Sequence, residues 1–164
     1  MSIQAGDQAI EFSLPASGGR TVGSEALAGH PYVLYFYPKA DTPGFTREAC
    51  AFQEALTQFG SLKVAVIGVS PDAMPAIENF AAKYGLSFPL ASDAGHELAS
   101  AYDVWVEKLR YGRRYMGIER STFLVDGKGK VARVWRKVTV DGHAAEVAAA
   151  VGALAGEASG ARCC

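Results

Sequence analysis

One stretch concentrates residue types that could do chemistry: Pro38-Lys39-Ala40-Asp41-Thr42-Pro43-Gly44-Phe45-Thr46-Arg47-Glu48-Ala49-Cys50. It follows a run of aromatic and branched residues at 32–37 and precedes apolar positions spaced as in a helix. It therefore joins the carboxyl end of a buried strand to a helix N-terminus. Ligands of open α/β sheets bind at such junctions. The free N–H groups and partial positive charge at a helix start stabilise negative charge on sulfur or oxygen. Turn chemistry alone is equally consistent with an ordinary Pro-Gly loop capped by a threonine.

The cysteines are Cys50, Cys163 and Cys164. Three do not make a disulfide framework. They suit a reduced, cytoplasmic setting, where a disulfide is catalytic or redox-sensing rather than structural. Taken alone, Cys50 reads equally well as a small buried hydrophobe. His30, His96 and His143 are scattered without metal-ligand spacing and read as surface or capping residues. There is no Cys-x-x-Cys, no Gly-x-Gly-x-x-Gly and no Walker A motif, so no haem, flavin or metal cofactor is expected. Residues 107–114 read as a charged, solvated loop near the site entrance, with Trp105 and Tyr111 packed beneath it. Arg120, by itself, reads as a surface arginine at the start of a strand.

The elements that must position these residues follow from periodicity. Residues 10–14 alternate apolar and polar, as a half-buried strand does. The runs at 32–37 and 63–69 suit strands buried on both faces. The first stops at Pro38, which cannot donate to a ladder. Ala49, Phe52, Leu56 and Phe59 predict a helix over 46–59. Ser70-Pro71-Asp72 opens a second helix that Gly85 ends after Tyr84. A short strand at 88–91 and a short helix at 93–102 follow. Strands at 121–125 and 130–136 flank the hairpin signal Asp126-Gly127-Lys128-Gly129. An alanine-rich helix over 143–155 carries Val147, Val151 and Leu154 on one stripe. Helices alternating with buried strands predict an α/β fold, a mixed central β-sheet with helices on both faces. The thioredoxin-like architecture fits first and the flavodoxin-like one second.

The chain has 164 residues, which suits one domain over 1–156 with a flexible tail at 157–164. Its net charge of −1 gives no electrostatic case for nucleic acid or an anionic membrane, and neither is expected as a partner. No run approaches the roughly 20 apolar residues of a membrane helix, and residues 1–7 do not read as a signal peptide.

The stretch from Tyr35-Phe36-Tyr37-Pro38-Lys39 through Thr42-Pro43-Gly44-x-Thr46-x-Glu48-Ala49-Cys50 resembles the active-site segment of the peroxiredoxins. It is most similar to the branch called bacterioferritin comigratory protein, or PrxQ. Gly68-Val69-Ser70-Pro71-Asp72, Phe88-Pro89-Leu90-x-Ser92-Asp93 and Glu119-Arg120-Ser121-Thr122-Phe123-Leu124-Val125-Asp126 agree in the same order. The resemblance spans roughly residues 5–155. It implies a thioredoxin-like fold and a thiol peroxidase that reduces hydrogen peroxide and organic hydroperoxides. Thioredoxin or a similar dithiol would recycle it. A monomer or weak dimer is expected.

The resemblance also assigns roles. A peroxidatic cysteine would stand at position 45, with Cys50 as its resolving partner in an intramolecular disulfide. Thr42 and Arg120 would hold and polarise the peroxide oxygens, Arg120 would lower the thiol pKa, and Pro38 would shield the site. This chain departs at the central position, because Phe45 stands where the family has its cysteine. Phenylalanine has neither a nucleophile nor a sulfur to oxidise. The chain is therefore expected to lack the first chemical step, either as a substituted form of a normal peroxidase or as a pseudo-enzyme that binds a partner. In the parent pattern, five helical residues rise about 7.5 Å and turn about 500°. A disulfide tolerates a Cα separation only up to about 6.8 Å. Pairing positions 45 and 50 would thus require the helix start to unwind.

Overall fold

The computed structural model describes residues 3–25, 27, 29–37, 65–85, 88–136, 146, 147, 149 and 150. Pro38, Thr42, Phe45, Cys50, the expected helix at 46–59, His143 and the tail at 157–164 lie outside the described residues.

The strands of the main sheet are β1 (Ser13–Ala16), β2 (Arg20–Gly23), β3 (Tyr32–Phe36), β4 (Ala65–Ser70), β5 (Leu90–Ser92), β8 (Ser121–Val125) and β9 (Val131–Arg136). A separate hairpin is built from β6 (Trp105–Arg110) and β7 (Arg113–Ile118). The described helices with complete bounds are α1 (Met74–Tyr84) and α2 (Glu97–Ala101). The seven strands lie in the order β2-β1-β5-β4-β3-β8-β9. β3, β4 and β5 run parallel, while β8 and β9 extend the sheet antiparallel on one side and β1 and β2 do so on the other.

Period-two alternation on β3 divides the core. Val33, Tyr35 and Tyr37 face one layer with Ile77, Phe80 and Ala81 of α1 and with Val147 and Ala150. Tyr32, Leu34 and Phe36 face the other with Leu98 and Ala99 of α2. The expected mixed sheet with helices on both faces is therefore what forms. β3 has no exposed side, so a nearly continuous apolar run is what the position requires.

Three local expectations are corrected. The first strand covers Ser13–Ala16 rather than 10–14. Pairing with β2 begins at Ser13 opposite Gly23, and the Phe12 N–H is donated to Ser24 Oγ instead. Gly23 allows this approach, since a Cβ there would lie 2.7 Å from the Phe12 carbonyl oxygen. The second helix begins at Met74 rather than at Ser70, because Ser70 is still paired in β4. Gly85 ends it as expected, at φ 61°.

Residues 107–114 are not a loop. They form most of the β6–β7 hairpin, paired from Trp105–Ile118 to Arg110–Arg113. Tyr111 and Gly112 make its two-residue turn, with φ of 52° and 74°. Positive φ at both positions matches the right-handed twist of a hairpin. Tyrosine in the left-handed region costs about 1–2 kcal/mol. Tyr111 is 91% exposed at the tip of the hairpin rather than packed beneath it. Trp105 is half-buried and stacks on His96, with ring centroids 3.8 Å apart and planes at 9°.

Candidate active site

The parallel strands β3, β4 and β5 all end on the same edge of the sheet. At these ends lie Tyr37, the Ser70-Pro71-Asp72 segment, and Ser92-Asp93. These residues tie the edge together. The Tyr37 N–H is donated to the Val69 carbonyl at 3.0 Å, which continues β3 pairing to the last residue before Pro38. Ser70 Oγ donates to Asp72 Oδ2 at 3.0 Å, and Ser92 Oγ donates to the Asp72 carbonyl at 2.6 Å. The Asp93 N–H reaches the Ser70 carbonyl at 2.8 Å.

The Asp93 carboxylate, itself buried, accepts from Leu98 N at 3.2 Å and Ala99 N at 2.8 Å. These are donors of the first turn of α2, which have no partner within the helix. One aspartate thus joins the end of β5 to α2. Burial pushes the Tyr37 phenol far above its ordinary pKa. The Ser70 hydroxyl works in the opposite direction, and the negative charge of Asp72 adds to the rise. Tyr37 therefore stays a neutral phenol.

Arg120 reaches this edge from the other side. β8 runs antiparallel to β3, with Ser121 opposite Phe36. Continuing that register by one residue sets Arg120 level with Tyr37, next to the point where the chain enters Pro38. The flanking backbone is fixed: Glu119 N–H is donated to the Val104 carbonyl at 2.8 Å, and Ser121 Oγ to the Glu119 carbonyl at 3.0 Å. Arg120 is half-buried rather than a freely solvated surface residue.

Lys108 of β6 is a second cation in this neighbourhood. Its amine titrates below its ordinary range, first because it is partly buried and then because of the positive charge of Arg120, with Glu119 opposing. Its side chain crosses the Cβ-less surface of Gly117, where an added Cβ would stand 3.3 Å from Lys108 Cδ. Lys108, Tyr37, Ser70 and Asp72 were not singled out as site residues from sequence. The Ser70-Pro71-Asp72 turn after a buried strand was the available signal for two of them. For Lys108 the signal was the charged segment 107–114 near the site entrance, which reads as a loop and so does not set Lys108 apart from its neighbours.

Among the described residues no group of three or more His, Cys, Asp or Glu side chains could hold a metal ion. None of the described helices is long and apolar enough to cross a membrane.

The parallel centre and the antiparallel extensions define a thioredoxin-like fold, with polar residues gathered at the strand ends beside β3. Solved structures with the same arrangement are peroxiredoxins. A cysteine-to-serine mutant of Xylella fastidiosa PrxQ superimposes with a TM-score of 0.88 at 38% identity, covering 93% of this chain and 98% of that one. The Xanthomonas campestris bacterioferritin comigratory protein, with its alkyl peroxide reduction activity, gives 0.84 at 46% identity, over 88% of this chain and 92% of that one. The chain belongs to the AhpC/TSA family, whose profile matches residues 5–134, and within it to the Bcp or PrxQ peroxiredoxins, which are thiol peroxidases. The putative peroxiredoxin bcp of Coxiella burnetii is 46% identical over 147 residues, covering 90% of this chain and 97% of that protein.

Proposed function

We propose that this chain is a thioredoxin-recycled peroxidase scaffold whose first chemical step is blocked at Phe45. The observation that carries the reading is the register of β3 and β8, which pairs Phe36 with Ser121; extended by one residue it sets Arg120 level with Tyr37, the last residue before the Pro38–Cys50 segment. A guanidinium at that point suits a group that binds peroxide oxygen and favours a thiolate.

With cysteine at position 45, the thiolate attacks the terminal oxygen of a hydroperoxide. The S–O bond forms as the O–O bond breaks. Sulfur loses two electrons and becomes a sulfenic acid. The leaving oxygen takes a proton and departs as water or an alcohol. Arg120 and the Thr42 hydroxyl hold the two oxygens as negative charge grows on the leaving one, while Pro38 limits the entry of water. The Cys50 thiolate then displaces hydroxide from the sulfenic sulfur, which leaves as water. A dithiol reductant of the thioredoxin class returns both sulfurs to thiols. The substrate class is hydrogen peroxide and organic hydroperoxides, and a cytoplasmic setting would keep the thiols reduced. With Phe45 in place there is no sulfur to begin this sequence.

A second reading follows from the same residue. A phenyl ring at position 45 could fill the peroxide pocket and leave a peroxiredoxin-fold binding module. Hydroperoxide consumption with thioredoxin as reductant separates the two. Turnover by Phe45→Cys, with none by this chain, supports the blocked peroxidase. No turnover by either favours the binding module.

A further inference from the structure

All four large hydrophobic side chains that stand exposed among the described residues lie on the β6–β7 hairpin. They are Leu109 at 70%, Tyr111 at 91%, Tyr115 at 45% and Met116 at 48%. Scattered singly they would mean little, but gathered on one projection they mark a contact site. The same hairpin carries Lys108, Arg110, Arg113 and Arg114 against one carboxylate, Glu107, giving it a net charge of +3 in a chain whose total is −1. Arg114 and Glu107 meet only loosely, at 3.7 Å, with both side chains mostly exposed.

From this distribution we infer that the hairpin tip docks on an anionic lipid surface. Cross-strand pairing sets Leu109 beside Arg114 and Met116 beside Glu107 on one face, while Tyr115 lies on the other face and Tyr111 at the turn. A flat protein partner would cover one face of a two-stranded ribbon. A lipid interface surrounds both faces, accepts tyrosine at headgroup depth and attracts the flanking arginines. A second copy of the chain would bring two such cationic tips together, which the charge opposes. The overall charge of −1 conceals this feature, because it averages a basic tip with an acidic remainder.

The test is flotation of the full chain with vesicles of phosphatidylcholine containing about 30% phosphatidylglycerol, against pure phosphatidylcholine. The expected result is salt-sensitive binding to the anionic vesicles only. Arg113→Glu and the double variant Leu109→Ser/Tyr111→Ser should each weaken it about tenfold. Lys128→Glu, which changes the total charge equally on the distant β8–β9 turn, should leave it intact. Equal loss in Arg113→Glu and Lys128→Glu would overturn the inference, as would binding to neither vesicle. So would hairpin-dependent binding to soluble polyglutamate, or hairpin-dependent self-association, without binding to vesicles. All the substituted side chains are exposed, and matching thermal unfolding curves would confirm that the variants remain folded.

Discussion

Gly68 of β4 lies level with Tyr35 on the neighbouring parallel strand, and a Cβ added to it would stand 2.9 Å from both Tyr35 Oη and Leu90 Cδ2. The glycine is what lets the Tyr35 ring lie across the sheet in the layer beneath α1. Since Tyr35 is fully buried and its ring packs 5.8 Å from that of Tyr37, it has little room to retreat.

Gly68→Ala is therefore expected to destabilise the fold by overpacking, by about 1–3 kcal/mol. Urea unfolding would read this as a lower midpoint with an unchanged slope. A wild-type midpoint would mean that the ring moves aside freely.

Asp93→Ala should remove both carboxylate bonds to the first turn of α2. Two buried N–H groups would then lack acceptors, at a cost of about 2 kcal/mol. Amide hydrogen exchange at Leu98 and Ala99 should quicken more than exchange in β3. A uniform change across the chain would show that Asp93 acts on the whole fold rather than on α2.

Alkaline pH should unfold the protein through its buried tyrosines. Burial is the leading cause that raises Tyr32, Tyr37 and Tyr102 above the ordinary value of 10.0. Tyr102 also accepts the Ile10 N–H at 3.1 Å. The native state holds these protons while the unfolded chain releases them above about pH 10. Their contribution is complete below that pH and is lost as pH rises through the higher native values. Tyrosinate absorbance should lag behind that of free tyrosine and then rise together with loss of helix. Titration of all seven tyrosines near pH 10 in the folded protein would contradict this.

Cys50 should not replace the missing nucleophile. If 45–50 is helical, the two positions lie on roughly opposite faces, so Cys50 would point away from Thr42 and Arg120. Stoichiometric hydroperoxide should leave it a thiol, as read by alkylation and mass spectrometry. A sulfenic acid at Cys50 under those conditions would reject this geometry.

Much of the architecture was readable because burial on both faces leaves a plain signal. Tyr32–Phe36 and Ala65–Ser70 are short apolar runs, and they form the sheet centre. Asp126 was readable for a different reason: its carboxylate accepts Lys128 N–H at 2.9 Å and Lys130 N–H at 3.1 Å, which is the turn chemistry its Asp-Gly pair advertises. The β6–β7 hairpin was not readable. Its strands, Trp-Val-Glu-Lys-Leu-Arg and Arg-Arg-Tyr-Met-Gly-Ile, carry no apolar–polar alternation, and tyrosine rather than asparagine precedes the turn glycine. In the candidate site, motif resemblance pointed to Arg120, whereas its position opposite Tyr37 emerged only from strand register. Tyr37 itself had read as one more aromatic in a strand.

β3 also acts as a partition. Its side chains alternate between two packing compartments that share no buried side chain among the described residues. A void opened at Leu34 cannot be filled by movement at Val33 or Tyr35, because those side chains are on the other side of the wall. The two compartments can therefore accumulate substitutions independently, and losses of stability from opposite sides should sum. The strand that delivers the chain to Pro38 is held from both sides by packing that, among the described residues, shares no side chains.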